Sequence, residues 1–155
     1  TKIVLRDNAI GVITDQKYFN PTERIFETLE RTAIDSKGLA GRFKMASAIV
    51  YRKTIITIGT NSYKTHPIMN EYGINDNAIY LHAEIDAINK AVKLISEEQL
   101  AKCDLYVLRV KREAGFNSAW IRGLAKPCDG CMKAIEKYKI KKVYYTKDYV
   151  MQINN

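Results

Sequence analysis

Two stretches far apart in the chain, His82-Ala83-Glu84 and Pro127-Cys128-Asp129-Gly130-Cys131, carry the residue types that grip a metal ion, at spacings that suit one ion. Cysteines two residues apart at a helix start bring their sulfurs together, and the exposed N–H groups of the first turn favour the thiolate forms. One imidazole and two thiolates make three protein ligands. A tetrahedral ion then keeps its fourth corner for water, which is the arrangement of a catalytic rather than a structural zinc site. Glu84 stands two residues beyond His82, close enough to reach that corner without being a ligand. A fold that satisfies both stretches must bring the starts of two helices to one point.

The rest of the pattern supplies such helices. After Asn20-Pro21, with Thr22 near the N-cap and Glu23 in the first turn, Ile25, Phe26, Leu29 and Ala33 recur at helical spacing to about Ser36, and Gly38 closes the segment. MASAIVY (45–51) and TIITIG (54–59) are β-rich runs that read as a hairpin about Arg52-Lys53, although that pair is a poor turn signature. Residues 60–80 mix Pro, Gly and Asn without period and form a long loop of the kind that usually carries function. Leu81, Ile85, Ile88, Val92 and Ile95 then step by four and three along an amphipathic helix whose first turn holds His82 and Glu84.

CDLYVLRV (103–110) is apolar enough for a central strand. An irregular stretch over 111–126 leads to the cysteine pair, Met132 to Tyr138 reads as helix, and KKVYYT (141–146) as a last strand. A helix between two strands implies a crossover that leaves them parallel. The expected architecture is an α/β sandwich, helices covering both faces of a mixed sheet.

At 155 residues, with no repeat and no linker, the chain is expected to form a single domain over 1–155, with 1–20 as an N-terminal extension. Three cysteines are too few and too odd a set for a disulfide framework. No segment has the apolar length to cross a bilayer, and TKIVLRDNAIG lacks a signal-peptide core, so no membrane association and an intracellular, cytoplasmic location are expected. The net charge is +8, and residues 102–155 hold 12 basic against 5 acidic groups. A field of that sign attracts phosphate, whereas the plainer reading of KAIEKYKIKK is a solvated helix face.

H-x-E paired with P-C-x-x-C is the signature of zinc-dependent nucleobase deaminases. With both motifs intact and the elements in matching order from about residue 22 to 147, the chain resembles the cytidine deaminase-like superfamily. The resemblance implies a three-layer α/β/α sandwich on a mixed five-stranded sheet with parallel last strands. It implies zinc on His82, Cys128 and Cys131, Glu84 as general acid/base, and a hydrolysis that replaces an exocyclic amine with a carbonyl oxygen and releases ammonia. Gly59-Thr60-Asn61 resembles the family's G-x-N, in which the Asn meets the sugar, and the Ala83 backbone N–H matches a contact to the base. The parallel last strand resembles deoxycytidylate and tRNA adenosine deaminases rather than free cytidine deaminases, CMKAIEKYKIKKVYY resembles the deoxycytidylate branch, and the residues between 111 and 126 depart from it.

The expected substrate is a small-molecule nucleotide or nucleoside, first a cytosine nucleotide such as dCMP. The same residues would serve adenosine or cytosine in nucleic acid, or free guanine. A homo-oligomer is implied, since such deaminases commonly build the pocket rim from neighbouring subunits. In another class altogether, the chain would be an inactive zinc-stabilised module binding nucleic acid through its basic last third. Lys64 and His66 on the long loop are candidates for a phosphate or sugar, Trp120 and Phe116 for stacking on a base or equally for capping the core or an oligomer interface, and Arg122 and Lys126 for phosphate. A structural zinc site would need a fourth ligand from His66 or Cys103, and a lone cysteine at the start of a central strand is usually a small core residue.

Overall fold

The computed structural model describes residues 2–6, 21–36, 43–61, 82–112 and 119–148. Among these residues six strands form one sheet: β1 (Lys2–Arg6), β2 (Phe43–Tyr51), β3 (Thr54–Thr60), β4 (Asp104–Arg112), β5 (Trp120–Gly123) and β6 (Lys142–Thr146). Their order is β1-β6-β4-β2-β3, with β5 paired to β4 off this path. β2 is antiparallel to both β3 and β4, while β4 and β6 are parallel, as expected for the last strands. The helices are α1 (Pro21–Asp35), α2 (Ala83–Ala91), the short α3 (Glu97–Leu100) and α4 (Asp129–Lys137). No helix among the described residues is long and apolar enough to cross a membrane.

Alternation along the strands divides the core into two layers, as the period of two requires. On β4, Leu105 and Val107 pack with Ile85 and Ile88 of α2 and with Cys131 and Ile135 of α4. Tyr106, Leu108 and Val110 turn the other way and pack with Ile25, Phe26 and Leu29 of α1. The result is the three-layer α/β/α sandwich, with α2 and α4 sharing one face. Both helices begin on the same side of that face, which is what the two motifs demanded.

Three details depart from the expected pattern. Lys2–Arg6, read as part of an extension, is an edge strand parallel to β6. Trp120–Gly123 lies in the stretch read as irregular and pairs with Arg109–Arg112, continuing the β4 edge beyond β6. The helix from His82 ends at Ala91 rather than running to Ile95. Ser96 starts a new turn there: its hydroxyl accepts the Gln99 N–H at 3.2 Å while Gln99 Oε1 accepts the Ser96 N–H at 3.0 Å. Such a capping box outcompetes continuation, and Val92 and Ile95 still pack on the core from the turn, which is why the helical spacing persisted.

The β2–β3 turn holds Arg52 at φ 47° and Lys53 at φ 66°. Two left-handed residues in a two-residue loop match the twist of the strands, and Asn-Gly is the pair that adopts this conformation most readily. Each L side chain there costs about 1 kcal/mol, partly offset by the Arg52 guanidinium lying 5.2 Å from the Tyr51 ring. An Arg52→Asn, Lys53→Gly double variant is expected to gain about 1 kcal/mol, read as a higher urea midpoint at unchanged slope.

Candidate metal centre and active site

α2 and α4 begin with the same device: an extended residue that faces the other helix. His82 is the N-cap of α2 at φ −79°, ψ 148° and makes no side-chain cap; its ring turns toward α4 instead. Cys128 caps α4 at φ −70°, ψ 170°, its sulfur accepting the Cys131 N–H at 3.5 Å. The three side chains meet. His82 Nδ1 lies 3.3 Å from Cys131 Sγ and 3.6 Å from Cys128 Sγ, and all three ligand atoms fall within 4.8 Å of one another.

These separations fit a tetrahedral ion, whose bonds of about 2.0 Å to nitrogen and 2.3 Å to sulfur put its ligands roughly 3.5 Å apart. Protonation of the sulfurs points the same way. The Cys131 thiol, then the His82 ring and the Cys131 backbone N–H, bring the Cys128 thiol down to about 4. Cys131 moves upward, because it donates to that thiolate and is buried. Two sulfurs sharing one proton are half-way to the dithiolate that a cation completes. Among the described residues these three form the one such cluster of His, Cys and carboxylate groups.

Glu84 lies in the first turn of α2, 3% exposed, with Oε1 bonded to nothing. Burial raises its carboxyl above the ordinary carboxylate range, against the lowering effect of His82. A cation on the three ligands would draw it back down, so the group can hold or release a proton as the charge beside it changes.

Strand β3 supplies the seat for this arrangement. A Cβ on Gly59 would collide with Ala83 O and Ala87 N and lie 2.9 Å from Asp86 Cβ, so α2 rests directly on the strand backbone. Thr57 Oγ1 donates to Ala87 O at 2.9 Å and the Thr60 N–H to Asp86 Oδ2 at 3.1 Å. Lys90 pairs with Asp86 at 3.1 Å and donates to Ile58 O at 3.0 Å. Asn61, buried on the same strand face, accepts the Met45 N–H at 2.9 Å through Oδ1, while Nδ2 has no partner. The role of Gly59 as a seat was not read from the sequence. Its signal is a glycine in an otherwise β-branched run, the mark of close backbone approach.

Other candidates lie elsewhere. Trp120 packs in the α1 layer, on the sheet face away from Cys131, with Arg112 4.4 Å and Lys44 5.5 Å from its ring. Its place is therefore core, not a base-stacking platform beside the cysteines. Arg122 is also on that side, 2.6 Å from Glu23 and 3.1 Å from Glu30. Both carboxylates come from α1, so the guanidinium is committed there rather than to a phosphate. Cys103 is buried and donates to Gln99 O at 3.3 Å, the core role expected of it. Lys126 is exposed. Lys64, His66 and Phe116 lie outside the described residues.

A three-layer sandwich whose two helix starts join one imidazole and two thiols beside a buried carboxyl defines a class of zinc-binding deaminase folds. The chain belongs to the cytidine and deoxycytidylate deaminase zinc-binding region family, whose model matches residues 20–147. Among solved structures it is similar to the dCMP deaminase of cyanophage S-TIM5 in apo form, at 24% identity and TM-score 0.52 over 81% of this chain and 82% of that one. It is likewise similar to that enzyme in complex with dCMP and dUMP, at 22% identity and TM-score 0.53 over 85% and 86%. Cytidine deaminase from Burkholderia pseudomallei matches at 14% identity and TM-score 0.50 over 76% of each chain. No curated protein sequence matches the chain significantly.

Proposed function

We propose that the chain is a zinc-dependent hydrolytic deaminase of cytosine in a (deoxy)cytidine nucleotide such as dCMP, giving the uracil product and ammonia. The observation that carries this reading is the convergence of His82, Cys128 and Cys131 next to the buried, unpartnered oxygen of Glu84. Zinc in that position supplies the Lewis acidity that makes water a nucleophile at neutral pH.

The chain's own residues do the rest. Glu84 takes one proton from water and passes it to the ring nitrogen, then takes the second from the hydroxyl gained by the ring carbon and passes it to the departing amine, so a single carboxyl serves twice as base and acid. The Ala83 N–H, one of the donors left open by the first turn of a helix, holds the base in this reading. Asn61 presents Nδ2 to the sugar while its Oδ1 is fixed by Met45. Supporting the choice of a mononucleotide is the cyanophage enzyme of like fold, whose structure holds dCMP and dUMP.

Zinc stoichiometry, measured together with ammonia release from dCMP, cytidine, adenosine, guanine and cytosine oligonucleotides, tests the proposal. One zinc per chain and fastest release from dCMP are expected. Release only from another member of the panel would reassign the base. Oligonucleotide binding that collapses with salt and yields no ammonia would mark a binding module instead.

A further inference from the structure

Between the end of β5 at Gly123 and the start of α4 at Asp129, the chain that delivers Cys128 to the site has no regular structure. Gly123 and the two residues after it are nevertheless pinned one after another, to the end of β6 and the residues just beyond it. Thr146 is fully buried; its hydroxyl donates to Gly123 O at 2.7 Å and accepts the Arg109 N–H at 3.3 Å. Its carbonyl accepts the Ala125 N–H at 2.9 Å. Two residues on, Asp148 Oδ1 accepts the Leu124 N–H at 3.1 Å and Lys111 Nζ at 3.0 Å.

The burial of the segment so held alternates: Leu124 exposed, Ala125 buried, Lys126 exposed, Pro127 buried, Cys128 exposed. A period of two makes register decisive, since a slip of one residue turns every side chain to the opposite side. Such a slip would bury Lys126 and carry Cys128 Sγ away from His82 Nδ1. Pro127 contributes no N–H of its own to hold the register, so it must be set upstream, where Thr146 and Asp148 act.

We propose that Thr146 and Asp148 are positioning residues for the metal site: they fix the register of residues 123–128 and thereby hold Cys128 opposite His82. The proposal rests on reading His82, Cys128 and Cys131 as metal ligands. Neither Thr146 nor Asp148 is itself a ligand or part of the proton path; both act through the backbone that carries one ligand.

The test uses the full chain and reads metal affinity rather than turnover. Zinc dissociation constants from chelator competition, and the thiolate absorption bands of the cobalt-substituted chain, are measured for Thr146→Val, Thr146→Ser and Asp148→Ala, with Val110→Ala as control. Val110 lies in the α1 layer, so its truncation loosens the fold away from the cysteines. Thr146→Val is expected to weaken zinc about 10–100-fold, the range seen when support of a metal ligand is lost, and to alter the cobalt bands. Thr146→Ser, which keeps the hydroxyl, should restore both. Asp148→Ala removes a largely exposed side chain and should weaken zinc several-fold. Val110→Ala should lower the melting temperature and leave zinc affinity unchanged.

Wild-type affinity in both Thr146→Val and Asp148→Ala would overturn the proposal, and so would an equal loss in Val110→Ala. A wild-type chain that binds no zinc would instead refute the ligand assignment, and this proposal with it.

Discussion

Zinc-replete Glu84→Gln is expected to deaminate about 10²–10⁴-fold more slowly than the wild type while binding the same amount of metal. The amide keeps the shape and burial of the carboxyl but cannot accept and return a proton. His82, Cys128 and Cys131 retain their places, because Glu84 is none of the three ligands. Turnover and metal content therefore separate: a replete Glu84→Gln sample with substantial ammonia release would defeat the assignment of the proton shuttle. Stability supplies an independent reading. In the metal-free chain, burial raises the Glu84 carboxyl, so the folded state holds its proton more tightly than the unfolded state does. Folded-state stability then falls as pH rises from the ordinary carboxylate range through the raised value. Glu84→Gln removes that dependence. Metal-free Glu84→Gln is thus expected to be more stable than metal-free wild type at neutral pH, and the advantage should vanish in acid, where both carry a neutral side chain.

Which parts of this site were legible in the sequence follows from how local each signal is. His82 and Glu84, and Cys128 and Cys131, are close pairs on single helices, so their spacing states their geometry without knowledge of the fold. The layers followed from period: Leu105 and Val107 against Tyr106 and Leu108 are adjacent letters that face opposite helices. What could not be read are features defined by a distant partner. Arg122 looked like a basic group near the cysteines, yet Glu23 and Glu30 claim it across the α1 layer. Trp120 had no local sign of which face it would take, because four residues of strand offer too short a period. β1 exists through its parallel pairing with β6, a contact between the two ends of the chain. Thr146 and Asp148 are unremarkable letters at a strand end until β5 is placed beside them.

Gly59→Ala is expected to lose about 3 kcal/mol of stability in urea unfolding, from overpacking of roughly 1–3 kcal/mol together with the buried hydrogen bonds it strains. The magnitude follows from what the new methyl would strike. Ala83 O and Ala87 N are backbone atoms of α2, which no side-chain rotation can move aside. The helix must lift, and with it go the bond from Thr57 to Ala87 O and the bond from Thr60 to Asp86. His82 and Glu84 ride on the same helix, so zinc affinity should fall as well, by displacement of one ligand rather than its removal. Gly123 is the control that isolates this cause. A Cβ there would meet Arg109 Cδ and Lys111 Cδ at 3.3 Å, side-chain atoms that need give by only a few tenths of an ångström. Gly123→Ala should therefore cost under about 1 kcal/mol, as conservative changes without a rigid clash usually do. Equal losses at the two positions would mean that the cost comes from adding a methyl to any strand glycine. In that case the seat of α2 on β3 would not be what holds His82 and Glu84 at the metal.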